Sequence, residues 1–396
     1  MALAAFDFHA PVPGQAGGPV LPLTAADAEA RQIGLAYARH GLVPPADHLH
    51  PGHPVRQGWT EGRARLAGRT RPAGTEVEAC LALRLEAWKL GLSFEHQAVT
   101  PHLLRQLRGA TCPVTRAPLA ASGQPAGTAT SAGLTRLFLG AGYAAGNLAQ
   151  LSTTALQARA QLGWEAAWRR AHARGLAAPD AAGADLQPAE WARLAVLLSL
   201  ATPLDHTQAA RLPLLVLPPA RVRVLNPVQG LQVVLTLQLL RSGYSRRLNE
   251  IAPLLPSDDT RKAFKTFMYT LLAKRLAAGR PVPDPAAARR ALENAWAQPE
   301  VLRAWTQLSL RLNAVQCEQL LDRMEARGLI DAACRRLPAE AAVDGWALET
   351  QGAAVRAAPV QAHAARSAAA GPCAPRPRSG WAPAATQATL PLQEPV

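Results

Sequence analysis

Helix starts and stops are written more plainly into this chain than any other signal, and they commit it to a mainly α-helical fold. Thr24, with Asp27 three residues on, precedes an apolar series through Ile33, Leu35 and Tyr37 that ends at Gly41, the pattern of a side-chain cap and a glycine stop. Thr75, Glu78 and Gly91 repeat it around Val77, Leu81, Leu85 and Trp88. Thr100, Pro101 and Gly109 bound a shorter helix, with proline in the first turn, where its missing N–H removes no bond. The Pro-, Gly- and His-rich stretch at 41–72 reads as a loop. Further helices are expected over 163–174, 188–201, 228–241, 257–278, 285–296, 299–312 and 314–327. At 212–225, Arg221 and Arg223 alternate with Val222 and Val224 in the period of a strand, so one or two strands are expected there.

The 396 residues suffice for two or more domains and a full core without disulfide help. Cys80, Cys112, Cys317, Cys334 and Cys373 are odd in number and form no C-x-x-C pair, which fits a reducing compartment. The N-terminal residues lack a secretory pattern, and no apolar run reaches bilayer length. A cytoplasmic, bacterial-type protein with no membrane partner is expected. The run 228–240 carries Gln229, Gln232 and Gln238 and reads as a buried helix. Beyond about residue 350 the chain turns to Ala, Pro, Gly and Arg, the composition of a disordered tail. The expected organisation is a helical region at 1–109, a small unit at 110–175, a helical domain at 185–340 and a tail at 350–396.

Net charge is +14 and the isoelectric point near 10.6. Such a balance points to an anionic partner, nucleic acid first. Only four of the 42 basic residues are lysine (Lys89, Lys262, Lys265 and Lys274), and an arginine excess of that kind is also what a GC-rich coding sequence produces. Three of those lysines fall between Arg241 and Arg280, where nine basic residues face three acidic ones. Arg246, Arg247, Arg261, Lys262 and Lys265 are candidate nucleic-acid contacts there, beside Tyr244. An ordinary solvated helix face is the competing reading.

The window from Cys112 to Arg159 carries the chemistry. It opens C-P-V-T-R and closes on Thr135, Arg136, Gly142, Tyr143, Gly146, Asn147, Leu148, Ser152, Ala155 and Arg159 at fixed spacing. This part of the chain, 48 of 396 residues, resembles the HNH (ββα-metal) endonucleases. Their signature runs D-R, five residues, G-Y, two residues, G-N-[LV], then S, two residues, A-N, two residues, K. The resemblance implies a β-hairpin and a following helix, with Gly140 and Gly142 in the turn and Asn147 tying the loop. Leu148 and Leu151 would face the hairpin, and Ser152 would cap the helix.

Hydrolysis of a phosphodiester needs a hard cation on oxygen or imidazole ligands and a base for water. Thr135 stands at the aspartate position of that signature, Leu156 at the second asparagine and Arg159 at the lysine. The expectation is a degenerate unit with no catalytic residue, no metal and no cofactor. Cys112 keeps the first thiol of a zinc knuckle, but Thr115 replaces the second, and Ser152 and Ala155 occupy the positions of a second pair. Arg136 and Arg159 remain candidate phosphate contacts. His48, His50 and His53, beside Asp47, have metal-ligand chemistry but no helical spacing. Asp205-His206 reads as a helix terminus.

The sequence therefore predicts a multi-helix protein with a small ββα insert and a disordered C-terminal tail. It would bind nucleic acid, DNA before RNA, without cutting it. Two alternatives stay open: an active nuclease whose ligands come from elsewhere, such as the three histidines, and a helical protein-interaction or structural module.

Overall fold

A computed structural model describes residues 23–119, 132–173, 186–241, 243–277, 284–337 and 347–352. The tail expected from residue 350 lies outside them except for 350–352, which are ordered by a strand ending at Gln351.

The chain opens with α1 (Leu23–Arg39) crossing α2 (Pro54–Leu66) at backbone contact. Glycine permits this approach. A Cβ on Gly34 would lie 2.0 Å from the Val55 carbonyl oxygen, and one on Gly58 would lie 2.0 Å from that of Arg31. α2 corrects the loop expected over 41–72. Gly58 and Gly62 depress its intrinsic propensity, but the same residues allow packing on α1 that outweighs the deficit. α1 is already helical at Leu23, so Thr24 lies inside it. α3 (Thr75–Lys89) has Gly74, not Thr75, at its cap position, and stops at Gly91 with φ 66. α4 (Pro101–Gln106) follows the cap read from sequence: Thr100 Oγ1 accepts from the Leu103 N–H at 3.3 Å. Ile33, Tyr37, Val55, Leu81 and Leu85 form the core of this bundle.

Next come β1 (Ala132–Arg136), β2 (Leu148–Ser152) and α5 (Thr153–Arg159), an antiparallel pair running straight into a helix. α6 (Trp164–His172) and α7 (Pro188–Leu200) pack on each other and share a core with β2 and α5. α8 (His206–Arg211) begins after Asp205, at the terminus expected there. β3 (Ala220–Val224) narrows the strand-like run to five residues.

α9 (Pro227–Gln238) is buried along its whole length, as the apolar run implied. Its polar side chains all find partners, the condition for burying them. Gln229 Nε2 donates to Ser199 Oγ at 3.0 Å, Gln232 Nε2 to the Leu212 carbonyl at 2.9 Å, and Gln238 Nε2 to that of Leu329 at 2.9 Å. α10 (Tyr244–Ile251), α11 (Asp258–Ala277), α12 (Pro285–Trp296), α13 (Pro299–Ser309) and α14 (Ala314–Ala326) follow and share its core; α10 and α14 pack on α9 directly, and α11 packs on α12 and α13. Phe267, Trp296 and Trp305 meet with ring centroids 5.2–5.6 Å apart at the centre. β4 (Cys334–Leu337) and β5 (Ala347–Gln351) complete a second sheet in the order β3-β5-β4, all antiparallel. Neither strand was expected, since each is four or five residues long with weak alternation.

The hairpin lies between the two helical regions and contributes to both cores. Ala149 and Leu151 join the large C-terminal core, while Leu148 joins Leu83, Leu103 and Leu107 of the N-terminal helices. Leu148 and Leu151, expected on one side, point to opposite sides because strand side chains alternate. Arg116 reaches α12 as well, with its guanidinium 3.3 Å from the buried Glu293 carboxylate. Among the described residues no helix is long and apolar enough to cross a membrane.

Candidate functional site

β1 and β2 pair Thr135 with Ala149 and Arg136 with Leu148. Ser152 caps α5, its Oγ accepting from the Ala155 N–H at 3.4 Å. The connecting loop is tied by the buried Asn147, as read from sequence. Its Oδ1 accepts from the Phe138 N–H at 2.8 Å, and its Nδ2 donates to the carbonyls of Phe138 at 3.0 Å and Gly142 at 3.1 Å. The glycine that needs a left-handed backbone is Gly146, φ 91, rather than Gly140 or Gly142. Gly142 serves close approach instead: a Cβ there would lie 2.3 Å from the Ser93 carbonyl oxygen, which accepts from the Tyr143 N–H at 2.9 Å.

The two arginines of the window are buried. Arg159 is 2% exposed; its guanidinium donates to the carbonyls of Ala160 at 2.7 Å and Leu137 at 3.2 Å, and its Nε has no partner. Arg136 is 9% exposed, donates to the carbonyls of Leu139 and Ala141, and stacks over the Tyr143 ring at 5.1 Å. Both were candidate phosphate contacts, and that reading is corrected: each fastens the hairpin loop from inside. Burial, and then the neighbouring Arg136, push the Arg159 guanidinium down to about 10. Burial, and then the nearby Glu86 carboxylate, raise the Tyr143 phenol to about 12.

The groups left around the hairpin do not suit a divalent ion. Thr135 Oγ1 donates to the Arg136 carbonyl at 3.3 Å, and Leu156 packs against Gly133. Glu95 is spent on the loop, its Oε2 accepting from the Ala145 N–H at 2.8 Å. Among the described residues no group of three or more His, Cys, Asp or Glu could hold a metal ion.

The zinc-knuckle positions do converge. Cys112 Sγ lies 3.4 Å from both the backbone nitrogen and the Oγ of Ser152, and Thr115 Oγ1 lies 3.3 Å from that same Oγ. Burial pushes the Cys112 thiol up, but hydrogen bonds from Ser152 and Thr115 outweigh it and leave the thiol below its ordinary value. A hydrogen-bond cluster fills the place where the resemblance implies four thiolates.

No protein-family model, curated protein or solved structure matches this chain.

The remaining basic candidates divide by environment. Arg247 is a structural clamp, donating to Gln238 Oε1 at 2.7 Å and to the Leu329 carbonyl at 2.6 Å, and partial burial lowers its guanidinium. Arg246 pairs with Glu250 at 2.8 Å, and Arg261 with Asp258 at 2.9 Å. Lys262, its side chain 81% exposed, stands 3.9 Å from Asp259. Lys265 is exposed with no ionic partner among the described residues, one turn before Tyr269, which is 60% exposed.

His48, His50 and His53 cluster against α3 rather than over the hairpin. His48 and His53 lie edge-on to Trp88 with centroids 5.9 and 5.5 Å away. The Val55 N–H donates to His53 Nδ1 at 3.2 Å, which places the proton on His53 Nε2, 3.3 Å from His48 Nδ1. Desolvation lowers both imidazoles, and their mutual proximity adds to the effect on His53.

One basic group was missed in the sequence. Arg39, Arg63, Arg65, Arg69 and Arg71 are all exposed near the ends of α1 and α2. Their one sequence signal was local density, four arginines within nine residues, inside a stretch read as loop.

Proposed function

We infer that this chain is a non-catalytic nucleic-acid-binding protein whose ββα unit, resembling the HNH fold, serves as a frame. DNA is the expected form, as the endonuclease resemblance implies. The observation that carries the reading is the burial of Arg159: a fixed positive charge inside the hairpin–helix junction opposes a divalent cation there and supports the loss of metal-dependent cutting. Binding is supported by the net charge of +14 and by the exposed Lys262 and Lys265 beside Tyr269 on α11.

Fluorescence anisotropy with a labelled DNA duplex at low and at physiological salt tests the binding half. Affinity that falls steeply with salt is expected, because each phosphate contact releases counterions. Incubation with supercoiled plasmid and Mg²⁺ or Mn²⁺ tests the other half, with no nicking expected. Absence of binding at low salt overturns the reading.

A helical interaction module is the second reading. It is favoured by one stripe on α11, where Tyr269, Ala273 and Leu276 are exposed at helical spacing.

A further inference from the structure

Five arginines gather where α1 and α2 end. Arg39 closes α1, Arg63 and Arg65 lie in the last turn of α2, and Arg69 and Arg71 follow it. The segment after α2 folds back on α1: the Arg71 N–H donates to the Arg39 carbonyl at 3.0 Å, and Gly41 lies against Thr70. All five side chains are exposed, and none has an ionic partner among the described residues. Other arginines of the chain are paired with carboxylates, as in Arg84 with Glu29 and Arg221 with Glu349, both at 2.6 Å. Glu61 is the one acid on α2.

Helix C-termini attract positive charge, which accounts for Arg39, Arg63 and Arg65. It does not account for Arg69 and Arg71. These lie beyond the left-handed residues Ala67 (φ 45) and Gly68 (φ 83), past the turn over which the helix dipole acts. Their loop is held in place, with the Arg69 N–H donating to the Leu66 carbonyl at 2.8 Å. A fixed loop that adds two like charges to three carries a self-repulsion that a polyanion relieves.

The chemistry of the patch selects phosphate over bases. Guanidinium forks match phosphate oxygens in pairs. Trp59 carries the Arg63 guanidinium 4.9 Å over its ring and is packed, half-buried, against the core of the helix pair, so it is not a free platform for stacking. Among the described residues Val43 is the one large apolar side chain exposed near the patch in sequence, too little to anchor it in a lipid surface.

We propose that Arg39, Arg63, Arg65, Arg69 and Arg71 form a contact surface for the phosphate backbone of duplex DNA. This rests on the nucleic-acid reading above and moves its principal contact from the hairpin to the N-terminal helix pair.

The test compares the full chain, a variant with all five arginines changed to Gln, a variant with all five changed to Lys, and K262Q/K265Q. Duplex affinity is measured by anisotropy across a salt series, with far-UV circular dichroism confirming the fold of each. Expected for the Gln variant is a plot of log affinity against log salt shallower by about 3 to 4, and affinity at 0.1 M salt lower on the order of a hundredfold or more. The Lys variant keeps the charge and most of the slope. Unchanged binding by the Gln variant, with loss in K262Q/K265Q, overturns the patch and leaves the nucleic-acid reading standing. No duplex binding by the full chain overturns both.

Discussion

Cys112 Sγ stands 3.4 Å from Ser152 Oγ, and this contact joins the loop before the hairpin to the cap of the helix after it. Ser152 holds three partners at once: the Ala155 N–H, the Cys112 thiol and the Thr115 hydroxyl. Ser152→Ala removes the cap and the side-chain hydrogen bond to the thiol, leaving the backbone N–H of residue 152 and Thr115 to oppose desolvation there. The expected loss is about 1–2 kcal/mol, read by urea denaturation. The Cys112 pKa should move upward, read by ultraviolet thiolate absorbance against pH; a fall, or no change, excludes the assigned role of Ser152.

The same convergence predicts that a thiolate site can be built there. Zinc–sulfur bonds of about 2.3 Å in a tetrahedron set the sulfurs about 3.8 Å apart. The present separations of 3.3 and 3.4 Å among Cys112, Thr115 and Ser152 are close to that. T115C/S152C/A155C is expected to bind Co²⁺ with tetrahedral thiolate absorption and to release it to Zn²⁺. The parent chain should show no such bands.

Asn147→Ala is expected to cost at least about 3 kcal/mol, because it strands one N–H and two carbonyls in a buried loop, at about 1–3 kcal/mol for each unsatisfied group. Asn147→Asp keeps the acceptor for the Phe138 N–H but turns a second oxygen toward two carbonyls, so it should rescue little. Thermal melts of the three proteins decide this.

Stability should decline on acidification through the histidine cluster. His48 and His53 lie below the ordinary imidazole value of 6.5 in the folded chain, so the unfolded chain takes up protons first as pH falls. Their contribution is complete above that value and drains away as pH drops through the folded pKa values. Protonating His53 Nδ1 also ends its acceptance from Val55, the cap of α2. His53→Asn keeps a capping oxygen and removes the titration. Its melting temperature should therefore vary less between neutral and mildly acidic pH than that of the parent.

The helices with local punctuation were legible in the sequence. Thr100 caps α4 and Gly91 stops α3, signals confined to a few residues, and the glutamines of α9 exposed a buried helix. α2 was not legible, because its stability comes from glycine faces meeting α1, a tertiary fact that a Pro- and Gly-rich string conceals. β4 and β5 are too short for alternation to register. Within the site, Asn147 and Ser152 were readable as framework because the loop-tying bonds of the one and the capping bond of the other are short in sequence, whereas the Ser152 contacts with Cys112 and Thr115 span about forty residues. The fates of Arg136, Arg159 and Arg247 were not, since a guanidinium turned inward on carbonyls and one turned outward on phosphate are the same letter in the chain.

The β3-β5-β4 order has a consequence for synthesis. The central ribbon, Ala347–Gln351, is made after both of its neighbours. Until the ribosome has passed it, Ala220–Val224 and Cys334–Leu337 each present a bare edge to other nascent chains. A product truncated before Ala347 would therefore be prone to self-association, even though every helix described here would be intact.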